Sequence, residues 1–62
     1  MDKEVMTLYQ GYLYEKYSAD INSNKVFTTY EEAWEDAKEL LYINAEYMSS
    51  VAEIRVRELE LN

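Results

Sequence analysis

Apolar residues from Val5 to Tyr17 occupy both parities, with Met6, Leu8, Tyr12 and Tyr14 on one and Val5, Tyr9, Leu13 and Tyr17 on the other. β-Branched and aromatic side chains dominate this stretch, which predicts a strand. A strand apolar on both faces is either sandwiched or paired with a second molecule. Alternatively, Gly11 marks a bulge that switches the parity midway. Ser18 to Asn24 is a cluster of turn formers and reads as a hairpin loop. Lys25 to Thr28, carrying Val26 and Phe27, then reads as a short second strand.

At Thr29 the period changes. Thr29 followed three residues later by Glu32 fits a capping box, and acidic residues in the first turn suit the helix dipole. Tyr30, Ala33, Trp34, Ala37, Leu40, Leu41, Ala45 and Met48 recur at steps of three and four, the stripe of an amphipathic helix from Thr29 to Met48. Tyr42, Ile43 and Tyr47 widen that stripe, helical character declines after Ile43, and Ser49-Ser50 closes the element. In the tail from Val51 to Leu61, Ile54 and Val56 alternate with Glu53, Arg55 and Arg57, as on a half-buried third strand. Leu59 and Leu61 are out of phase with Ile54 and Val56, which predicts a bulge or helical turn near Arg57-Glu58. A helix running unbroken from Thr29 to Leu61 is the rival reading, opposed by the poor helix interior Ser49-Ser50-Val51. The expected architecture is a single α+β domain over residues 1–62, β-β-α-β, with the helix across a short antiparallel sheet. Trp34, Leu41 and Phe27 are expected at the centre of its core.

The chain has 62 residues and neither cysteine nor histidine. Disulfides and thiolate metal sites are therefore excluded, and the serines lack the usual general base. Gly11 stands alone, so no phosphate-cradling loop exists. The run Asp20-Ile21-Asn22-Ser23-Asn24 has alternate oxygen ligands but lacks the glycine and distal glutamate of a calcium loop. No catalytic residue, cofactor or metal ligand is assigned, and the chain is read as a non-enzyme. So short a chain is marginal without a supplement, and oligomerisation or partner binding is the one left open.

The net charge is −7, which repels nucleic acid and anionic lipid and attracts basic protein surfaces. Neither direct nucleic-acid binding nor membrane binding is expected. No apolar run approaches a bilayer span, and Met1-Asp2-Lys3-Glu4 lacks the basic start of a signal peptide, so cytoplasmic residence is expected. Much of the charge lies on the helix, at Glu31, Glu32, Glu35, Asp36 and Glu39. Several of these stand at (i, i+4), where like charges repel. One reading makes this face a solubility device; another makes it a mimic of the phosphate backbone, since carboxylates ~6 Å apart approach the spacing of successive phosphates. A third is docking on a basic protein without mimicry. The seven tyrosines exceed what one small core can hold, so Tyr9, Tyr12 and Tyr14 are expected to line a homodimer or partner interface.

The run Val26-Phe27-Thr28-Thr29-Tyr30-Glu31-Glu32-Ala33-Trp34-Glu35-Asp36-Ala37, a short strand entering a capped helix, resembles small acidic bacteriophage accessory proteins of the anti-defence and host-takeover type. The resemblance implies an inhibitor acting in the bacterial host cytoplasm on a protein with a basic surface, of the nuclease, helicase or polymerase class. The competing expectation is a small structural or regulatory homodimer.

Overall fold

In the computed structural model, which describes residues 6–17, 19–44 and 52–61, the first strand lies at the centre of the sheet. β1 (Met6–Tyr14) is flanked by β2 (Ile21–Asn22) and β3 (Glu53–Leu61), in the order β2-β1-β3, both pairings antiparallel. One helix, α1 (Tyr30–Ile43), packs on β1 and β3. The α+β, β-β-α-β arrangement is the one the sequence predicts, and the segment after the helix is strand rather than continued helix.

The β1–β3 register is unbroken from Met6↔Leu61 to Tyr14↔Glu53. That rules out a bulge at Gly11 and a helical turn at Arg57-Glu58. Alternation then assigns the faces. On the helix side the cross-strand pairs are Leu13/Ile54, Gly11/Val56, Tyr9/Glu58 and Thr7/Glu60; on the other they are Tyr14/Glu53, Tyr12/Arg55, Gln10/Arg57, Leu8/Leu59 and Met6/Leu61. The apolar side of the ribbon therefore changes over at Tyr9. The first residue of the helix sits there, with the Tyr9 and Tyr30 rings edge to face at 6.3 Å. Beyond that point no helix among the described residues covers the ribbon, and Glu58 and Glu60, both exposed, stand on that side where an apolar residue is not required. Leu59 and Leu61 are out of phase because the covered side ends, not because the strand is interrupted.

Gly11 has a different role from a bulge. It faces α1 at a close crossing: a Cβ built on it runs into the Ala33 carbonyl oxygen and stands 2.7 Å from the Ala37 Cβ. Its φ is negative, so the requirement is for space rather than for an unusual backbone. Ala33 and Ala37, one turn apart, complete a small-residue contact that lets helix and strand approach closely. Among the described residues the hydrophobic side chains with no exposed surface are Leu13, Ala33 and Ala37. Trp34, Leu41 and Phe27, expected at the centre, are only partly buried. The helix meets the sheet along Ala33–Ala37, and Trp34 and Leu41 sit on its flank.

The second edge also departs from expectation. The paired residues are Ile21 and Asn22, opposite Leu13 and Tyr12, not a strand over Lys25 to Thr28. The edge continues as single contacts: the Ser23 N–H donates to the Gly11 carbonyl at 3.0 Å, and Phe27 exchanges two backbone bonds with Tyr9 at 2.7 and 2.9 Å. Between those contacts β1 advances from Gly11 to Tyr9 while the edge advances from Ser23 to Phe27. The surplus residues bulge outward, which breaks the ladder into two pieces.

The helix starts as predicted. The Thr29 hydroxyl accepts from the Glu32 N–H at 3.3 Å and donates to the Glu32 carboxylate at 2.8 Å. Thr29→Ala is expected to lower stability by ~1 kcal/mol, read as a shift of the urea midpoint at unchanged m-value. At the other end the helix stops at Ile43, earlier than Ser49-Ser50. Asn44 caps it through its N–H and side-chain amide, both donated to the Leu40 carbonyl at 3.1 and 2.8 Å. Ala45, Tyr47, Met48 and Ser49-Ser50 lie outside the described residues. No helix among the described residues is long and apolar enough to cross a membrane.

Candidate functional site

Two faces of opposite character result. The first is the outer face of α1, where the 3.6-residue repeat aligns Glu31, Glu35 and Glu39 in one row with Glu32 beside it. All four are exposed. Asp36 is not one of them: it turns towards the sheet edge, is partly buried, and its carboxylate accepts a hydrogen bond from the Ser23 hydroxyl. Ser23 itself is buried, its Oγ accepts from the Lys25 N–H at 3.1 Å, and its carbonyl accepts from Gln10 Nε2 at 2.8 Å. Asp36 thus ties the helix to the bulged edge. Neutralising all five acids is consequently not neutral for the fold. Asp36→Ala is expected to cost ~1–3 kcal/mol by stranding Ser23, whereas Glu35→Ala stays within ~0.5 kcal/mol; parallel thermal melts separate the two.

The dipole explains only part of the row. Glu31 and Glu32 are in the first turn, but no basic residue occupies the last turn, and dipole stabilisation fades beyond one turn. Glu35 and Glu39 therefore gain nothing from it and repel their neighbours. Lys38, the only base of the helix, lies over the Trp34 ring at 5.7 Å. Among the described residues the ion pair present is Arg55–Glu53, on β3, so the helix carboxylates are left unneutralised. A shallow depression separates the row from the edge segment, with Lys25 and Phe27 on its far side.

The second face is the side of the sheet away from the helix. Here the guanidinium of Arg55 stacks on Tyr14 at 3.9 Å and that of Arg57 on Tyr12 at 4.0 Å, each cation drawn to the electron-rich face of its ring. Arg55 donates through Nε and Nη2 to Glu53 Oε2, at 3.1 and 2.9 Å. That hydrogen bond holds the Arg55 pKa above the ordinary guanidinium value, against a smaller lowering by desolvation. Arg57 Nη2 reaches across β1 to Asn22 Oδ1 at 2.8 Å, while its buried Nε has no partner among the described residues. The chain's two arginines and two of its tyrosines thus form one patch, next to the aliphatic pairs Leu8/Leu59 and Met6/Leu61.

No protein-family model, curated protein or solved structure matches this chain.

The site must accordingly be judged on its own residues. Tyr12 and Tyr14 do share the open face. Tyr9 does not: it faces the helix, against Tyr30. Within the Asp20–Asn24 run, Ile21 and Asn22 form the sheet edge, and Asn22 is bonded to Arg57. Sequence reasoning overlooked Arg55 and Arg57 as partners of the tyrosines. Their i, i+2 spacing was the available signal, because it places both on one face of a strand, as it does Tyr12 and Tyr14.

Proposed function

We propose that this protein is a non-enzymatic inhibitor, phage-encoded and acting in the bacterial cytoplasm, that docks its acidic helix on the basic nucleic-acid-binding surface of a nuclease, helicase or polymerase. What supports this reading is the exposed row Glu31–Glu35–Glu39. It is unneutralised among the described residues, and two of its members lie beyond the turn where helix stability would favour them. Uncompensated like charge on a rigid helix raises association rates with a cationic groove and suppresses encounter with anionic surfaces. The row spaces its carboxylates regularly, as a phosphate backbone does, so it would compete with nucleic acid for the same groove.

The test uses a quadruple variant, Glu31→Gln, Glu32→Gln, Glu35→Gln and Glu39→Gln, that leaves Asp36 in place. Affinity capture from bacterial lysate with the wild-type chain supplies the partner, and association is then timed at low and high salt. The variant should stay folded and associate at least about tenfold more slowly, with most of the salt dependence gone. Tyr12→Ala, measured alongside, should change the rate little. Equal rates and equal salt response for wild type and quadruple variant would reduce the acidic helix to a solubility feature.

A further inference from the structure

We infer that β3 is a self-association edge: two copies join antiparallel through residues 53–57 of β3, forming one six-stranded sheet with both helices on the same side. This goes beyond the acidic-helix reading and does not depend on it.

The sheet's two edges are not equivalent. The β2 side is short and bulged, a form that resists further pairing. The β3 edge is straight over Glu53–Leu61. The direction of its free groups follows from the β2 side. Tyr9 and Gly11 use their backbone groups towards that side, so Leu8, Gln10, Tyr12 and Tyr14 bond β3 through Leu59, Arg57, Arg55 and Glu53. Ile54, Val56, Glu58 and Glu60 then point N–H and C=O outward. A two-fold pairing must set these even-numbered residues against one another.

Axes centred on residues 54 to 58 meet that condition. An axis at Ile54 sets Glu53 against the partner's Arg55, but it pairs only residues 53–55 within the strand and runs the rest into Ala52, outside β3. A two-fold axis at Val56 places Arg55 against the partner's Arg57 twice. An axis at Arg57 sets that arginine against its own copy and Val56 against the partner's Glu58. An axis at Glu58 sets Glu58 against its own copy. An axis at Arg55 instead matches Ile54 with the partner's Val56 and Glu53 with the partner's Arg57, each twice. Its one like-charge contact, Arg55 against its copy, is softened because each Arg55 already holds Glu53 at 2.9 Å. The new ion pair is also prepared on both sides. Arg55 uses only Glu53 Oε2, leaving Oε1 unengaged among the described residues. Arg57 donates to Asn22 through Nη2 alone. Glu58 and Glu60, on the half of β3 beyond the helix, leave that half charged and limit pairing to residues 53–57.

The helix supplies the rest of the contact. Asp36 fixes one flank of α1 over the β2 side, so the opposite flank, with Trp34 and Leu41, overhangs β3. Both are only partly buried, and Trp34 is flanked by a half-exposed Tyr30. With strands ~4.8 Å apart, an axis one to one and a half strand spacings from the helix leaves the two helix axes ~10–14 Å apart. Large side chains such as Trp34 can fill that gap from both sides.

Sedimentation of the wild-type chain should give about twice the 7.4 kDa monomer mass. Arg57→Glu should weaken the dimer at least about tenfold by facing the partner's Glu53, and adding Glu53→Arg in the same chain should restore the affinity to within about threefold. The chain has no cysteine, so single cysteines report the register. Position 55 meets its own copy in a non-hydrogen-bonded pair, with Cα atoms ~4.5 Å apart, inside the ~4.4–6.8 Å range of disulfides. Arg55→Cys should therefore cross-link under mild oxidation, and Glu53→Cys, which faces position 57, should not. A wild-type monomer at micromolar concentrations overturns the inference. So does a dimer that cross-links through Tyr12→Cys while Arg55→Cys stays unlinked, since that is the signature of open faces packed together.

Discussion

Gly11→Ala is expected to destabilise the protein by about 3 kcal/mol, at the upper end of overpacking effects. Strand propensity alone points the other way, because an alanine replacing a strand-interior glycine usually gains ~0.5–1 kcal/mol. The sign is reversed by where Gly11 sits. The new methyl meets the Ala33 carbonyl oxygen and the Ala37 Cβ, the latter at 2.7 Å, and a helix backbone cannot move aside as a flexible side chain can. A chain of this length has a total stability of roughly 3–9 kcal/mol, so much of it would be lost. Thermal unfolding followed by circular dichroism should show a fall of ~12–24 °C, at fixed protein concentration. Combining Gly11→Ala with Ala37→Gly removes one of the two clashes, and the double variant should lose less than the sum of the single losses. A melting temperature equal to or above wild type would show that helix and strand do not cross at Gly11.

Leu13→Ala is expected to cost ~2–5 kcal/mol, more than any other single aliphatic truncation among the described residues. Leu13 is the large side chain with no exposed surface. It lies between Ile21 and Ile54 on neighbouring strands, beneath the helix. Its loss leaves a cavity at the point where all three strands and α1 meet. Trp34→Ala, by contrast, removes a larger but only partly buried ring and should cost less in a monomeric form such as the Arg57→Glu variant. Urea unfolding of the two variants in that background orders them directly. A greater loss for Trp34→Ala would place the core on the helix flank rather than under Gly11 and Leu13.

The sequence alone determines the elements whose causes are local. Thr29 and Glu32 lie within one helical turn of each other, so the cap can be read from their spacing. The same holds for the Ala33–Ala37 stripe and for the alternation of Ile54 and Val56. The absence of histidine and cysteine excludes imidazole and thiolate chemistry from these residues without any structure.

The tertiary structure decides what depends on pairing between distant segments. Tyr9 and Tyr12 look equivalent in the sequence, but a strand's register sends one under the helix and the other to the open face. Arg57 meets Tyr12 and Asn22 only because β3 returns beside β1. Asp36 has the sequence context of its acidic neighbours and is set apart by Ser23, which reaches it through the bulged edge. Gly11 and Leu59 both resemble interruptions of a strand pattern. They prove to mark where the helix crosses the sheet and where its cover ends. Capping and periodicity act through contacts a few residues apart, which a sequence displays directly, whereas face assignment follows from which strand lies beside which and in what register.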